Sequence, residues 1–484
     1  MEEQREIKGH EKIGRVQLIV WMSLLLLVLL QIVCHAEPRH LSIKLRGVYD
    51  SKITLTPFDG VRFALPLTVA SGVKTGEETH FVIPDSLLPG EFLIRFDYRA
   101  KETDTPYPSE LQLYINSEDI AIDAHPLYLR GDSLRLTNDR ENTTWFAFTN
   151  KSDRQRQQIG LLRQLLEQYD SPASPEWTGV LKAYEKRRIN YNHWIDSLAR
   201  AQKNLYVSHL YDFQKLKAEN WKATPAIRMN SLAHEWFKGF NFNDTLILRS
   251  RQMNELMNGF MGLYGMRATS ETLRDSLFTE AGKLAIESAS VGHPRVYGWM
   301  VDYFYNGYET YNITSGMVML EKHLNNPGCL TSKRLAIAKR LEGLKKMVPG
   351  VAVRNVMVHN FDDREETINM TACDKNYRLL LFYDSECDHC RQLLAAVRKW
   401  YELPANSTRL EVVSVALDRT REVWEPFFTA NAFPWIDRYA PGGVNSQAAT
   451  DYYVLSAPYM YLVDKNGALM GIPNTVEEMD KMMK

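Results

Sequence analysis

The sequence predicts a multidomain protein with three domains of different class: a β-rich N-terminal domain, an all-α middle domain and a C-terminal α/β domain. Three patterns indicate this order. Apolar and polar residues alternate with a period of two up to about residue 140, and apolar residues recur at helical spacing from about 153 to 350. Strand and helix patterns then alternate to the end of the chain. A length of 484 residues also exceeds one ordinary domain. The predicted domains are 37–150, 151–350 and 351–484.

Residues 1–36 are predicted to be a signal peptide or a membrane anchor. The stretch 16–33 is almost purely apolar, and Lys8, Lys12 and Arg15 precede it. Cys34-His35-Ala36 follows, with small residues at the two positions that a signal peptidase reads, which favours cleavage after Ala36. A largely apolar stretch of eighteen residues is also just long enough to cross a bilayer, so an uncleaved anchor in the inner membrane is the alternative. A lipid-modified Cys34 is disfavoured because Val33 is bulky. Each interpretation places the rest of the chain in the periplasm or cell envelope.

Charge and cysteine content limit the functional classes. The formal net charge is −1, whereas nucleic-acid binding needs a basic excess, so no nucleic-acid partner is expected. Beyond Cys34, the cysteines are Cys329, Cys373, Cys387 and Cys390. A small scaffold held together by disulfides would carry far more. These cysteines are therefore more typical of chemistry than of architecture.

The first two domains carry no catalytic signature. The β-rich domain has alternating segments separated by Pro and Gly, which predicts an antiparallel sandwich or small barrel serving as scaffold or interaction module; the segments are 41–45, 53–55, 92–96 and 111–115. The helical domain is dense in aromatic residues, which at helical spacing indicate core packing rather than a ligand site. His234-Glu235 could begin the His-Glu-x-x-His motif of a zinc protease, which needs a second histidine four residues after the first. That position is Lys238, so the motif is excluded.

One motif in the C-terminal domain carries chemistry, Cys387-Asp388-His389-Cys390. It lies between the apolar run Leu379–Tyr383, typical of a strand buried on both faces, and an amphipathic helical pattern. Cys387 is therefore predicted at a helix N-terminus, where free backbone N–H groups and the helix dipole favour the thiolate that attacks disulfides. Cys390 lies one turn later on the same face and can resolve a mixed disulfide. His389 can donate to the thiolate or, when protonated, offset its charge.

Two acidic neighbours act against the thiolate, since Glu386 and Asp388 oppose a second negative charge on Cys387.

Other interpretations of the motif are weaker. Half of a zinc site would need a second pair of ligands, and Cys329 and Cys373 are isolated in sequence, so no metal and no cofactor are expected. The second alternative to a redox-active motif is an inert structural disulfide between Cys387 and Cys390. A peroxidase would prefer threonine three residues before the reactive cysteine, where this chain has Asp384.

The C-terminal domain resembles the thioredoxin fold, and in particular the TlpA/ResA-like thiol–disulfide oxidoreductases of bacterial envelopes. Three segments carry the resemblance: 380–390, 412–418 followed by the Trp424 helix, and Ala457-Pro458 followed by the run 459–467. The resemblance implies a cis-proline at Pro458 that lies against the cysteine pair, with its neighbouring backbone binding the substrate chain. The three-domain layout resembles multidomain members of the Bacteroidetes.

The sequence departs from that family at three positions. Leu381 stands where thioredoxin has a buried proton-accepting aspartate, Glu386 where it has tryptophan, and Leu393 where the ResA-like proteins have glutamate. His389 resembles the histidine of more oxidising members, such as the disulfide isomerases. The departures put general-base assistance within the domain in doubt, and the resemblance of His389 to the more oxidising members leaves the direction of electron flow open.

The sequence as a whole predicts an extracytoplasmic thiol–disulfide oxidoreductase. Cys387, Cys390 and His389 are the predicted catalytic residues, and Ala457 and Pro458 the predicted substrate-binding residues. The expected partners of the protein are protein thiol or disulfide substrates and a membrane electron donor or acceptor. The alternative is an envelope protein-binding module in which the thioredoxin-like domain only docks a partner.

Overall fold

The computed structural model describes residues 38–168, 172, 174–371 and 374–484. The predicted signal peptide or anchor and Cys373 lie outside these residues. Among the described helices, none is both long enough and apolar enough to cross a membrane. By internal contacts the chain forms two compact units. One extends to Leu216 and includes Leu246–Leu256, and the other comprises Lys217–Thr245 and Met257–Lys484.

The N-terminal region is built from strands in two four-stranded sheets, ordered β4-β1-β7-β8 and β3-β2-β5-β6. The strands are β1 Arg39–Leu45, β2 Asp50–Pro57, β3 Thr68–Val73, β4 Glu78–Ile83, β5 Gly90–Arg99, β6 Tyr107–Ile115, β7 Ile120–Ala124 and β8 Leu134–Thr137. Alternating apolar side chains of both sheets, such as Ile43 and Ile94, share one hydrophobic core. The β-rich prediction is confirmed. The expectation of purely antiparallel pairing is wrong because β1 and β7 are parallel, which the long intervening chain allows.

The middle region is helical, as predicted. Its helices are α1 Arg140–Gln168, α2 Pro175–Ala201, α3 Pro225–Glu235, α4 Gln252–Gly265, α5 Glu271–Ser290, α6 Pro294–Thr310, α7 Thr314–Leu324 and α8 Arg334–Lys346. Local sequence explains several starts: Ser174 and Ser270 accept hydrogen bonds from the first turns of α2 and α5. The prediction that aromatic residues form core is confirmed for Phe237, Phe242 and Phe304, whose side chains are buried.

The C-terminal region contains one mixed seven-stranded sheet, ordered β10-β9-β13-β12-β11-β14-β15. Its strands are β9 Val356–His359, β10 Glu365–Ile368, β11 Tyr377–Tyr383, β12 Leu410–Ala416, β13 Ile436–Tyr439, β14 Tyr459–Asp464 and β15 Leu469–Gly471. Its helices are α9 Asp388–Tyr401, α10 Pro404–Ser407, α11 Arg421–Asn431, α12 Gln447–Asp451 and α13 Val476–Met482. The predicted buried strand is β11, which pairs with β12 in parallel and with β14 in antiparallel orientation.

A hydrophobic core covers each face of this sheet. Leu380 and Phe382 of β11 point into one core, and Leu379, Leu381 and Tyr383 into the other, which also contains Cys390. The continuous apolar run of β11 thus follows from its central position. The four-residue strands β9, β10 and β13 escaped the sequence prediction because they are too short to show a clear period.

Candidate active site

The turn between β11 and α9 places Cys387 at the helix N-terminus, as predicted. Cys387 is the N-cap residue of α9, and the backbone N–H of Cys390 donates to its Sγ at 3.3 Å. The backbone N–H of Cys387 in turn donates to the carbonyl oxygen of Asp384 at 3.2 Å. A sulfur atom at this position receives a donor of the helix's first turn, which stabilises negative charge on it.

The two thiols of the motif differ in burial. Both are free cysteines; Cys387 is half-buried, whereas Cys390 is fully buried in the core that also contains Tyr383 and Leu394. Burial, followed by the hydrogen bond to Cys387, raises the pKa of Cys390 well above that of an ordinary thiol. Cys390 therefore holds its proton at neutral pH, and Cys387 is the thiol that a disulfide in solution can reach.

The loop before β14 brings Ala457 and Pro458 to the cysteine pair. The Ala457–Pro458 peptide bond is cis, as the family resemblance implied. The carbonyl oxygen of Ala457 lies 4.0 Å from Cys387 Sγ, and Ala457 packs beside Cys387 against the core around Cys390. The structure thus gathers four of the five predicted site residues, although these contacts leave their chemical roles as predictions.

His389, the fifth predicted residue, makes no contact with this cluster among the hydrogen bonds and ion pairs of the described residues. Its side chain is exposed, and within the described ranges no hydrogen bond or ion pair involves its imidazole. The neighbouring Asp388 is 87% exposed, with its Oδ1 3.8 Å from Nη1 of Arg391. Both side chains are exposed, and water screens interactions between exposed groups. The proposed tuning by His389 stays a prediction.

Asp418, a buried residue for which the sequence predicted no role, holds the turn that precedes Cys387 in place by hydrogen bonds to Ser385. The backbone N–H of Ser385 donates to Asp418 Oδ1 at 3.2 Å, and the Ser385 hydroxyl donates to the same oxygen. Arg391 of α9 donates to the Ser385 carbonyl oxygen at 2.7 Å. Burial raises the pKa of Asp418 above its usual range. These bonds fix the turn immediately before Cys387 to the end of β12 and to α9.

A second buried carboxylate lies in the sheet at the level of Leu381, the position where thioredoxin has its aspartate. Leu381 is paired in register with Ser414 of β12, and Ser414 with Asp437 of β13. Asp437 Oδ1 accepts from the Ser414 hydroxyl at 2.5 Å, and Oδ2 accepts from the Tyr383 hydroxyl at 2.9 Å. The Trp424 indole N–H lies 3.4 Å from the same Oδ2.

Burial dominates the ionisation of this carboxylate. It raises the pKa of Asp437 to about 7, although the three donors act in the opposite direction. Asp437 is therefore a buried acid that titrates near neutrality, two strands away from the position at which the sequence lacks one. Sequence analysis missed it because β13 was not recognised; its alternation of apolar and polar residues from Ile436 to Tyr439 is the signal that could have revealed it.

Metal binding has no support among the residues that the structure describes. They contain no group of three or more His, Cys, Asp or Glu side chains that could hold a metal ion.

Comparison with known proteins agrees with this geometry. Residues 374–469, about a fifth of the chain, match a family model described as thioredoxin-like, so the chain contains a thioredoxin-like domain. No curated protein matches the chain.

Several solved structures are weakly similar to this chain. A thioredoxin-like protein from Bacteroides caccae is 17% identical, with 55% of this chain and 96% of that chain covered and a TM-score of 0.38. A thiol-disulfide oxidoreductase from Bacteroides fragilis is 18% identical, with coverage of 28% and 97% and a TM-score of 0.25. A thiol:disulfide interchange protein from a Bacteroides species is 16% identical, with coverage of 28% and 89% and a TM-score of 0.25.

Proposed function

We propose that this protein is a thiol–disulfide oxidoreductase of the bacterial envelope, in which the Cys387/Cys390 pair exchanges electrons with protein substrates. The observation that carries the proposal is the asymmetry of the two thiols. Cys387 is partly exposed, and its sulfur accepts a backbone hydrogen bond at a helix N-terminus. Cys390 is fully buried, and its pKa is raised. An attacking and a resolving thiol need this difference.

The exchange proceeds in two balanced steps. The Cys387 thiolate attacks one sulfur of a substrate disulfide, a mixed disulfide forms, and the other substrate sulfur leaves as a thiolate. Cys390 then loses its proton and attacks Cys387 Sγ, so that the substrate departs as a thiol and a Cys387–Cys390 disulfide remains. A dithiol donor, in the envelope a membrane partner, must restore the reduced pair. In the oxidising direction the same steps run in reverse.

The cis-proline loop supplies the second half of the proposed site. A substrate chain lying along Ala457 and Pro458 would place its disulfide next to Cys387, because the Ala457 carbonyl group is already at the sulfur. Backbone recognition of this kind tolerates many protein sequences, since it depends on main-chain hydrogen bonds rather than on side chains. Protein disulfides are therefore the proposed substrate class.

Cys390→Ser is expected to trap the first intermediate. Without the second thiol the mixed disulfide on Cys387 cannot be resolved, so it should accumulate with a glutathionylated peptide or a protein disulfide. Non-reducing electrophoresis and intact mass spectrometry of the full chain detect the adduct. Cys329→Ser is the matched control, since Cys329 is a buried free thiol outside the motif and its loss should trap nothing. Absence of an adduct in Cys390→Ser, while wild type reacts, would count against the proposed order of attack.

The reduction potential of the pair should decide the direction of electron flow. Equilibration in thiol buffers followed by mass spectrometry measures it; a value near −270 mV indicates a reductant and one near −120 mV a disulfide donor. His389→Ala is expected to shift the potential downward by less than about 30 mV, because the variant lacks an exposed group that favours the reduced thiolate form. Asp388→Ala, which removes a nearby negative charge, should shift it upward. Equal potentials in wild type and His389→Ala would remove His389 from the site.

The proposed location depends on residues 1–36 and has its own test. Fusion of these residues to a reporter, followed by fractionation of envelope and cytoplasm, measures export. N-terminal sequencing of the mature chain distinguishes cleavage after Ala36 from a retained anchor. A reporter retained in the cytoplasm would reject the envelope assignment without affecting the proposed chemistry.

A further inference from the structure

A buried ion pair joins two helices of the middle region. Arg340 of α8 donates through Nε to Glu309 Oε2 of α6 at 2.8 Å, and its Nη2 forms a second hydrogen bond to Oε1. The Arg340 side chain is 6% exposed and that of Glu309 is 11% exposed. Two charges withdrawn from water in this way need further partners to offset their desolvation.

Those further partners come from the loop that leads into β14. The Ser456 hydroxyl donates to Glu309 Oε1 at 2.9 Å, and Arg340 Nη1 lies 3.3 Å from the carbonyl oxygen of Tyr453. The Arg340 guanidinium also lies over the Tyr459 ring, 4.9 Å from its centroid. The ion pair thus contacts the segment 453–459 at three places, and these helices and the loop belong to the same compact unit.

The close approach of α8 to this loop depends on a glycine. A Cβ atom added at Gly343 would lie 2.6 Å from the Cβ atom of Tyr453, which a larger side chain could not tolerate without a shift of the helix. Gly343 stands three residues after Arg340, on the same helical face. The contact is therefore built into the sequence of the helix.

The anchored residues flank the predicted substrate-binding pair on both sides. Ser456 immediately precedes Ala457, whose carbonyl oxygen is at Cys387 Sγ, and Tyr459 immediately follows Pro458. Tyr459 is also paired in register with Phe382 of β11, the strand that ends at the active-site turn. A movement of Ser456 or Tyr459 would displace the Ala457 carbonyl group from the cysteine.

We infer that Glu309 and Arg340 are positioning residues that hold the Ser456–Tyr459 segment against Cys387, so that helices α6 and α8 belong to the substrate-binding machinery. The inference rests on the proposed function, since it concerns the same site. It gives the middle region a role that its sequence did not reveal. The hydroxyl of Ser456 is the link whose removal perturbs the fold least.

The test separates loop position from thiol chemistry with two probes. One is a peptide carrying a glutathione mixed disulfide, which must lie along the loop, and the other is a small aromatic disulfide, which needs only an accessible thiolate. In the full chain with excess dithiothreitol, Ser456→Ala and Glu309→Gln are expected to raise KM for the peptide about tenfold, the effect of losing one hydrogen bond to a charged group. The kcat for the peptide should stay within about twofold, and so should the rate at which the pre-reduced chain, freed of dithiothreitol, reacts with the small disulfide. Ser456→Thr, which keeps the hydroxyl, should restore KM.

Glu411→Gln is the matched control for a purely structural effect. Glu411 pairs with the buried Arg378 at the opposite end of β11 and β12, with Nε and Oε2 2.5 Å apart. If Glu411→Gln raises the peptide KM as much as Glu309→Gln does, general loosening is responsible and the positioning role is rejected. An unchanged KM in both Ser456→Ala and Glu309→Gln, with an active wild type, also rejects it. A wild type inactive on both probes would instead reject the proposed function itself.

Discussion

Cys387→Ser is expected to abolish disulfide exchange, with a loss on the order of a thousandfold or more, because the variant lacks the attacking sulfur. The hydroxyl of serine is not a nucleophile toward disulfides, and Cys390 cannot replace the lost thiol. Cys390 is fully buried, and its raised pKa keeps it protonated at neutral pH. Reduction of a protein disulfide by the full chain, with dithiothreitol as electron source, measures the loss.

The control for this variant separates chemistry from folding. Cys329→Ser changes another free cysteine of the same compact unit and should leave the rate unchanged. Cys387 is half-buried, so its replacement by the smaller serine should alter the free energy of unfolding by less than about 1 kcal/mol. Full activity in a folded Cys387→Ser protein would disprove the proposed mechanism. Retention of a partner by inactive Cys387→Ser, without any change in the partner's redox state, would favour the docking alternative.

Asp437→Asn is expected to remove a large pH dependence of stability from the C-terminal domain. The pKa of this buried carboxyl is raised from 3.8 to about 7, so the folded chain holds a proton that the unfolded chain releases between these values. The contribution of this carboxyl to stability is therefore full below pH 4, falls as the pH rises to about 7, and stays lost above it. The total change corresponds to about 4 kcal/mol. The neutral amide of asparagine has no such penalty, so the variant should be more stable than wild type at pH 8.

Urea denaturation from pH 4 to 8, followed by hydrogen exchange of peptides from β11 to β13, measures this effect. Asp388→Asn is the matched control, since its carboxylate is 87% exposed and meets water in the folded and unfolded chain alike. It should retain the pH dependence of wild type. A wild-type slope in Asp437→Asn would show that the hydrogen bonds from Ser414 and Tyr383, rather than burial, control this carboxyl.

Local sequence determined where the cysteine pair of this protein lies. Residues 379–401 contain, one after the other, a continuous apolar run, a Cys-x-x-Cys motif and an amphipathic helical pattern. These local patterns favour a strand, a turn and a helix in that order. The positions of Cys387 and Cys390 at the first turn of α9 follow directly. The cis bond at Pro458 was accessible through family resemblance, since no local pattern distinguishes cis from trans.

Tertiary structure decided what surrounds those thiols. Asp437 reaches the level of Leu381 because β13 pairs with β12, and a four-residue strand carries too little periodicity to reveal that pairing. Glu309 lies 147 residues before Ser456, and their hydrogen bond exists because two helices pack against one loop. The periodicity of apolar residues along a helix or strand indicates which of its faces is buried. Which other element covers that face is determined by the packing of the whole chain. The placement of the cysteine pair is therefore a local property of the sequence, whereas the side chains that surround the pair are brought there by tertiary packing.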